Sequence, residues 1–273
     1  MNKIGFIGAG NMARAIIIGL VNSGISPQSI MVANPSEEKR LQLAQEFGVL
    51  QTDDNIKASE FADVIVLCVK PHFITDVCFQ ISQAINIAGK LFISVAAGTT
   101  VAQIQSALSK ENPVSLAPVV RVMPNTPSQL GLGMSGLYAS TEVNTLQKAS
   151  AEKLMTAVGK IIWLATEAKI NDIIAVAGSA PAYYFLFMEA MEKHAKHLGF
   201  TSEESRMLVQ QTALGAAQMV AHSNDDISTL RGNVTSKGGT THAAIEHFKQ
   251  QGLDDIVKNA MNAAIARAEE MAK

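Results

Sequence analysis

Cysteine, aromatic rings and net charge are all scarce in this 273-residue chain, and each shortage closes a class of answers. Two cysteines, Cys68 and Cys78, do not make the framework of a disulfide-stapled secreted domain. Cys68 lies in the apolar run 64–69, where a thiol behaves as a small core hydrophobe. Aromatic residues make up 5% and the formal net charge is -2, which leaves neither base-stacking platforms nor a basic footprint for nucleic acid. No apolar run reads as a membrane span: the most apolar uncharged stretch, Ile173–Met188, is short and is interrupted by Gly178, Ser179 and Pro181. The chain enters a strand-like segment at once, without the basic and apolar regions of a leader, so a soluble cytoplasmic protein is expected. What is abundant is hydrophobicity, 48% of residues against 17% charged, enough for substantial cores. At this length one domain with a smaller partner is the natural division.

The organising stretch is Lys3–Ala13. A mostly apolar strand runs into Gly8-Ala9-Gly10-Asn11-Met12-Ala13, a G-x-G-x-x-A turn, and Ala13–Leu20 then reads as an apolar helix. Gly8 permits the turn, Gly10 lets a pyrophosphate approach the backbone, and Ala13 lets helix and strand pack closely. The helix end offers unpaired N–H groups and a partial positive charge to phosphates. A second strand, Ile30–Ala33, ends at Asn34 where an NAD-preferring domain usually carries an acid for the ribose 2'-hydroxyl. Asn34 is followed by Ser36, Lys39 and Arg40, a set better suited to a 2'-phosphate, so NADPH is the expected cofactor. The competing reading has Ser36 only capping the helix 37–47 and the two cations only solvated.

Further strands are expected at 62–69, 91–95 and 117–122, ending in Lys70-Pro71-His72, Ala96-Ala97-Gly98 and Met123-Pro124-Asn125-Thr126-Pro127. Alternating strands and helices make a doubly wound parallel sheet whose ligand lies outside the strands' carboxyl ends. From about Glu167 helical periodicity takes over, placing the boundary between Trp163 and Glu167: an α/β nucleotide-binding domain, 1–165, then an all-helical domain, 166–273. Ser179 and Pro181 are expected to start a helix that stops at Gly199, and Thr201-Ser202-Glu203-Glu204 is a capping box for the next, reaching about His222. A short helix, 226–231, and a last one, 254–271, complete the domain. It is more apolar than the outer layer of a monomer needs, so a helix-mediated dimer is expected.

Between the last long helices lies Gly232-Asn233-Val234-Thr235-Ser236-Lys237-Gly238-Gly239-Thr240-Thr241. Two glycines, the hydroxyls of Ser236, Thr240 and Thr241, and the start of the helix 241–250 compose a small-anion site for a carboxylate or phosphate. A plain polar loop with Thr241 as a cap remains the alternative. The segment 234–241 resembles the signature of the delta-1-pyrroline-5-carboxylate reductases, the last enzymes of proline biosynthesis. Gly5–Met12, Val69–His72, Ser94–Gly98, Arg121–Pro127 and Gly178–Tyr183 resemble family segments in the family's order. Lys237 departs from a proline common in the family, and its acidic residues before Gly178 are thinned to Glu167 and Asp172.

The resemblance implies a Rossmann-like domain with a helical dimerisation domain, and NADPH-dependent hydride transfer to the imine of 1-pyrroline-5-carboxylate, giving L-proline. It implies that Ser236, Gly238, Gly239, Thr240 and Thr241 hold the substrate, with Thr241 at the ring nitrogen as catalytic residue. A threonine hydroxyl is a poor acid, so orientation or proton relay is its expected contribution. It further implies a cofactor site of Gly8, Ala9, Gly10, Asn11, Met12, Asn34, Ser36, Asn55, Val69, Lys70, Pro71, Ala96, Ala97, Gly98 and Asn233, with NADH as a lesser cofactor. The dimers of the family interleave, and rings of dimers occur.

The rivals are a 3-hydroxyacid dehydrogenase-like enzyme and a non-catalytic NADPH sensor. The first needs a catalytic lysine at the start of the helical domain; 178–185 has none, and Lys169 reads as a solvated charge. The second has no need for a carboxylate pocket. No metal is expected: His194 and His197 share a helical face but lack a third ligand at suitable spacing. His242 is close enough to the signature loop to influence its charge.

Overall fold

The computed structural model of the chain describes residues 3–109 and 116–271. Among the described residues eight strands form one sheet: β1 (Ile4–Ile7), β2 (Ile30–Ala33), β3 (Leu50–Thr52), β4 (Val64–Leu67), β5 (Leu91–Ser94), β6 (Val119–Met123), β7 (Gly133–Ala139) and β8 (Gly159–Trp163). Their order is β3-β2-β1-β4-β5-β6-β7-β8, parallel throughout except for the antiparallel β6–β7 pair. β1, β2, β4 and β5 are buried at every position, which is why they read as unbroken apolar runs. Six helices cover the sheet: α1 (Asn11–Asn22), α2 (Glu37–Phe47), α3 (Asn55–Phe61), α4 (Ile74–Ala84), α5 (Val101–Leu108) and α6 (Thr145–Thr156). One core joins Phe6, Val32 and Val66 to Ile16, Ile17 and Leu20 of α1 and Leu154 of α6. The other joins Ile7, Ile65 and Phe92 to Ala58 of α3, Ile81 of α4 and Ile104 of α5. The result is the doubly wound α/β sheet expected.

β7 and β8 extend the sheet beyond what the sequence suggested. Gly133-Met-Ser-Gly-Leu-Tyr-Ala139 carries small and polar residues in place of an apolar run, and β8 alternates half-buried with exposed positions, as an edge strand does.

The rest is helical: α7 (Lys169–Ile173), α8 (Ala180–His197), α9 (Ser202–His222), α10 (Ile227–Asn233), α11 (Thr240–Gln250) and α12 (Leu253–Met271). Ser179 immediately precedes α8 and Pro181 lies in its first turn, as expected, but the helix does not start afresh there. α7 and α8 are continuous through a π-turn at Ile174–Gly178, giving one helix over Lys169–His197. It is 29 residues long and contains an 18-residue window of mean hydropathy 1.4, long and apolar enough, by length and composition alone, to cross a membrane, so Gly178, Ser179 and Pro181 are not the interruption expected. The wider turn spares Pro181 the clash a proline makes inside an α-helix.

The chain divides into two compact units within that helix: one up to Pro181 with the residues from Ala264 on, the other Ala182–Ala263. The second unit covers few of its own apolar side chains. Tyr184, Phe185, Leu186, Met207, Ile227 and Ile256 are each more than half exposed.

Candidate active site

Sheet topology determines where a ligand lies in the larger unit. β1 is followed by β2 on one side and flanked by β4 on the other, so the connections leaving β1 and β4 diverge and open a crevice at the strands' carboxyl ends. Gly8 ends β1 there, its N–H bonded to the Ala33 carbonyl at 2.8 Å and its φ at 106°, a value side chains rarely adopt. A Cβ on Gly8 would come within 2.7 Å of the Cys68 carbonyl oxygen. Gly10 differs: a Cβ on it would meet nothing within 4 Å. Gly10 is the residue before α1, and no side chain caps that helix, so its first N–H groups open onto the space beside Gly10. Asn11 and Met12 form the first turn. Free N–H groups at a helix start with open space beside them are what a phosphate group requires.

Asn34 anchors the neighbouring turn. Its Oδ1 accepts the Ala9 N–H at 3.2 Å and its Nδ2 donates to the Ser36 carbonyl at 3.2 Å. Ser36 precedes α2 but its side chain makes no capping bond, and Lys39 is exposed beside it. Arg40 is otherwise engaged: Nε donates to Gln51 Oε1 at 2.8 Å and its guanidinium lies 3.9 Å from Glu37. Asn55 opens α3 after β3, while Val69, Lys70 and Pro71 follow β4, and Ala96, Ala97 and Gly98 follow β5. These expected cofactor residues thus share one edge.

The next strand end adds polar groups to which the sequence reading gave no role. Arg121 of β6 is 5% exposed, and its Nη1 pairs with Glu167 Oε1 at 2.8 Å. The same oxygen accepts the Val101 N–H at 2.7 Å, at the start of α5. Asn125, 7% exposed, donates from Nδ2 to the Ala177 carbonyl at 3.1 Å and accepts the Met134 N–H at 3.0 Å. An arginine inside an otherwise apolar parallel strand, and an asparagine between Pro124 and Pro127, were the available signals.

In the second unit, Asn233 ends α10, and Gly239, not Thr241, is the cap position of α11. Thr240 and Thr241 are therefore the helix's first turn, one residue earlier than expected. No side chain caps this end, so its N–H groups are presented beside the exposed Ser236, Thr240 and Thr241. The loop is pinned from beneath. Thr235 Oγ1 donates to the Arg231 carbonyl at 2.6 Å, and the Gly239 N–H reaches the Ser236 carbonyl at 3.0 Å. Gly238 adopts φ 77°, and a Cβ on Gly239 would sit 2.7 Å from Ser236 Oγ. The loop brings together all five expected substrate residues.

Lys169 is exposed and paired with Asp172 at 2.6 Å, an unsuitable state for a catalytic amine. Among the described residues no group of three His, Cys, Asp or Glu side chains is placed to hold a metal ion. His194 and His197 lie with ring centroids 6.0 Å apart, flanked by the ion pairs Lys193–Glu189 and Lys196–Glu192. Burial pushes the Cys78 thiol up to about 12, so it stays protonated and inert.

A doubly wound sheet with an open phosphate cradle at its switch point is the framework of a nicotinamide-dependent oxidoreductase. Comparison with known proteins narrows the class. Residues 167–271 match the family model described as pyrroline-5-carboxylate reductase dimerisation, and residues 3–98 match one described as NADP oxidoreductase, coenzyme F420-dependent. A pyrroline-5-carboxylate reductase of Vibrio alginolyticus is 55% identical, over 99% of this chain and 98% of that one. Two solved structures are similar over the whole chain. A Coxiella burnetii pyrroline-5-carboxylate reductase has a TM-score of 0.91 at 42% identity, covering 100% of this chain and 99% of that one. A Plasmodium falciparum pyrroline carboxylate reductase with NADP bound has a TM-score of 0.88 at 27% identity, covering 100% and 98%. The chain belongs to the pyrroline-5-carboxylate reductase family.

Proposed function

We propose that this protein reduces 1-pyrroline-5-carboxylate to L-proline with NADPH. The observation that carries the reading is the uncapped first turn of α11, rimmed by three hydroxyl side chains, in a chain of this family. A helix start without a cap has N–H groups to spare for an anion, and the substrate carries a carboxylate. Gly239, Thr240 and Thr241 N–H groups with the Ser236 hydroxyl hold that carboxylate, and Gly238 keeps the loop open. NADPH, when bound, supplies the hydride that the imine carbon accepts.

A cyclic iminium is already a good hydride acceptor, so the residues have mainly to orient it. Thr241, through its hydroxyl, orients the ring nitrogen or relays its proton. On the cofactor side Gly8 to Met12 cradle the pyrophosphate. Asn34 and Ser36, without an acid at the end of β2, favour a 2'-phosphate over a bare ribose, so NADPH outperforms NADH. Asn55, Val69, Lys70 and Pro71 line the adenosine and ribose, Ala96, Ala97 and Gly98 the nicotinamide end, and Asn233 also contacts the cofactor. Residues 1–165 and 166–273 act as cofactor domain and dimerisation domain. The homodimer covers the apolar side chains that the second unit leaves exposed, and dimers assemble further into a ring. Two free thiols suit the reducing cytoplasm.

The test is NADPH oxidation with pyrroline-5-carboxylate, run beside NADH and beside a 3-hydroxyacid with oxidised cofactor. Turnover with the imine alone, faster with NADPH, supports the reading. Turnover with the hydroxyacid, or cofactor binding without turnover, replaces it.

A further inference from the structure

We infer that Asn125 is a positioning residue for hydride transfer, holding the π-turn of the 169–197 helix against the carboxyl end of β6. The inference rests on the reductase reading above and assigns one residue's part in it.

Proline sets the problem. The Ala177 carbonyl lies four residues before Pro181, which has no N–H to return to it. Around this point the helix widens, and the Ser179 N–H reaches back five residues to the Ile174 carbonyl at 2.8 Å. Asn125 stands in for the donor that proline lacks, its Nδ2 3.1 Å from the Ala177 oxygen. Its other end is also fixed, because Oδ1 accepts the Met134 N–H at 3.0 Å. The bond to the Ala177 carbonyl is buried and the one from the Met134 N–H part-buried, so losing the carboxamide would leave a buried acceptor and a partly buried donor unmatched.

A second contact locks the same place. Gly178 lies so near Met123 that a Cβ there would come within 2.6 Å of Met123 Cε. Residues 123–125 and 174–178 therefore form one wall at the end of β6. β6 pairs with β5, Ser94 opposite Arg121, and β5 runs directly into Ala96–Gly98 at the nicotinamide end. π-turns within α-helices occur often at functional sites, and this one stands where a small shift changes the room beside the reacting ring. The phosphate cradle at Gly8–Gly10 belongs to β1, three strands away from β6 in the sheet order. Asn125 thus bears on turnover and not on cofactor affinity.

The test compares Asn125→Ala with the double variant Asn125→Ala/Pro181→Ala, measuring kcat, the NADPH dissociation constant and the melting temperature of each. Alanine at 181 supplies an N–H to the 177 carbonyl and so repairs the unmatched acceptor, but it does not rebuild the bridge to β6. Asn125→Ala is expected to lose roughly a hundredfold in kcat, the cost of slight misplacement, with NADPH affinity within about threefold. The double variant is expected to regain melting temperature while kcat stays low. If Asn125→Ala is too unstable to assay, the double variant alone decides. A kcat within about twofold of the unsubstituted protein, or recovery of kcat together with melting temperature, overturns positioning and leaves only a structural contribution. Absence of turnover in the unsubstituted protein overturns the reductase reading and this inference with it.

Discussion

Two glycines two residues apart do different work, and substitution separates them. Gly10→Ala places its methyl in open space, so stability should change by no more than about 0.5 kcal/mol. The same methyl occupies the room a pyrophosphate needs, so NADPH affinity should fall about tenfold or more. Denaturant midpoint and a binding titration on one preparation check both. Gly8→Ala reverses the pattern: φ is 106° and the Cys68 carbonyl is in the way, so the loss is in stability, about 1–3 kcal/mol. At this scale the sequence was informative wherever a motif forces a residue type. The G-x-G-x-x-A turn is legible because few residues fit its backbone. Asn125 and Glu167 were opaque, because the Ala177 carbonyl and the Arg121 guanidinium they bind lie 52 and 46 residues away and no local pattern announces such a bond.

Single carboxylates join or start whole elements. Glu167 Oε1 takes both the Arg121 guanidinium and the first N–H of α5, tying β6 and α5 to a residue two positions before α7. Glu167→Ala strands a charge that is 5% exposed, and should cost about 3 kcal/mol in a urea titration. Glu167→Gln should cost less, because an amide oxygen still serves the Val101 N–H. Glu204 starts α9. The Thr201 backbone N–H holds its carboxyl below the ordinary 4.5, so its stabilisation is complete above pH 4.5 and is lost as pH falls through the lower folded value. Melting temperature measured across that window should therefore fall less steeply in Glu204→Gln than in the parent. An equal slope would remove Glu204 from the account. The capping box at Thr201 was readable because its two residues sit at fixed spacing. The continuity of the 169–197 helix was not: glycine, serine and proline usually break helices, and only the π-turn with its partner Asn125 lets this one continue.

For the whole molecule, the exposed Tyr184, Phe185, Leu186, Met207, Ile227 and Ile256 imply association. If the folded chain is an obligate homodimer, its thermal midpoint must rise with protein concentration, and one that stays fixed over a wide dilution series would contradict it. Composition foreshadowed this, since apolar helices with so little to cover them stand out even in sequence. The central claim is that a reduced nicotinamide gives its hydride to a cyclic imine acid held by this chain. Its most direct test uses NADPH carrying deuterium at the transferable position, with pyrroline-5-carboxylate and purified protein, and weighs the product by mass spectrometry. The account predicts proline with a single deuterium on the former imine carbon, and no label transfer when Gly10→Val blocks the cradle. Unlabelled proline, or deuterium appearing in a hydroxyacid or keto acid product instead, would contradict it.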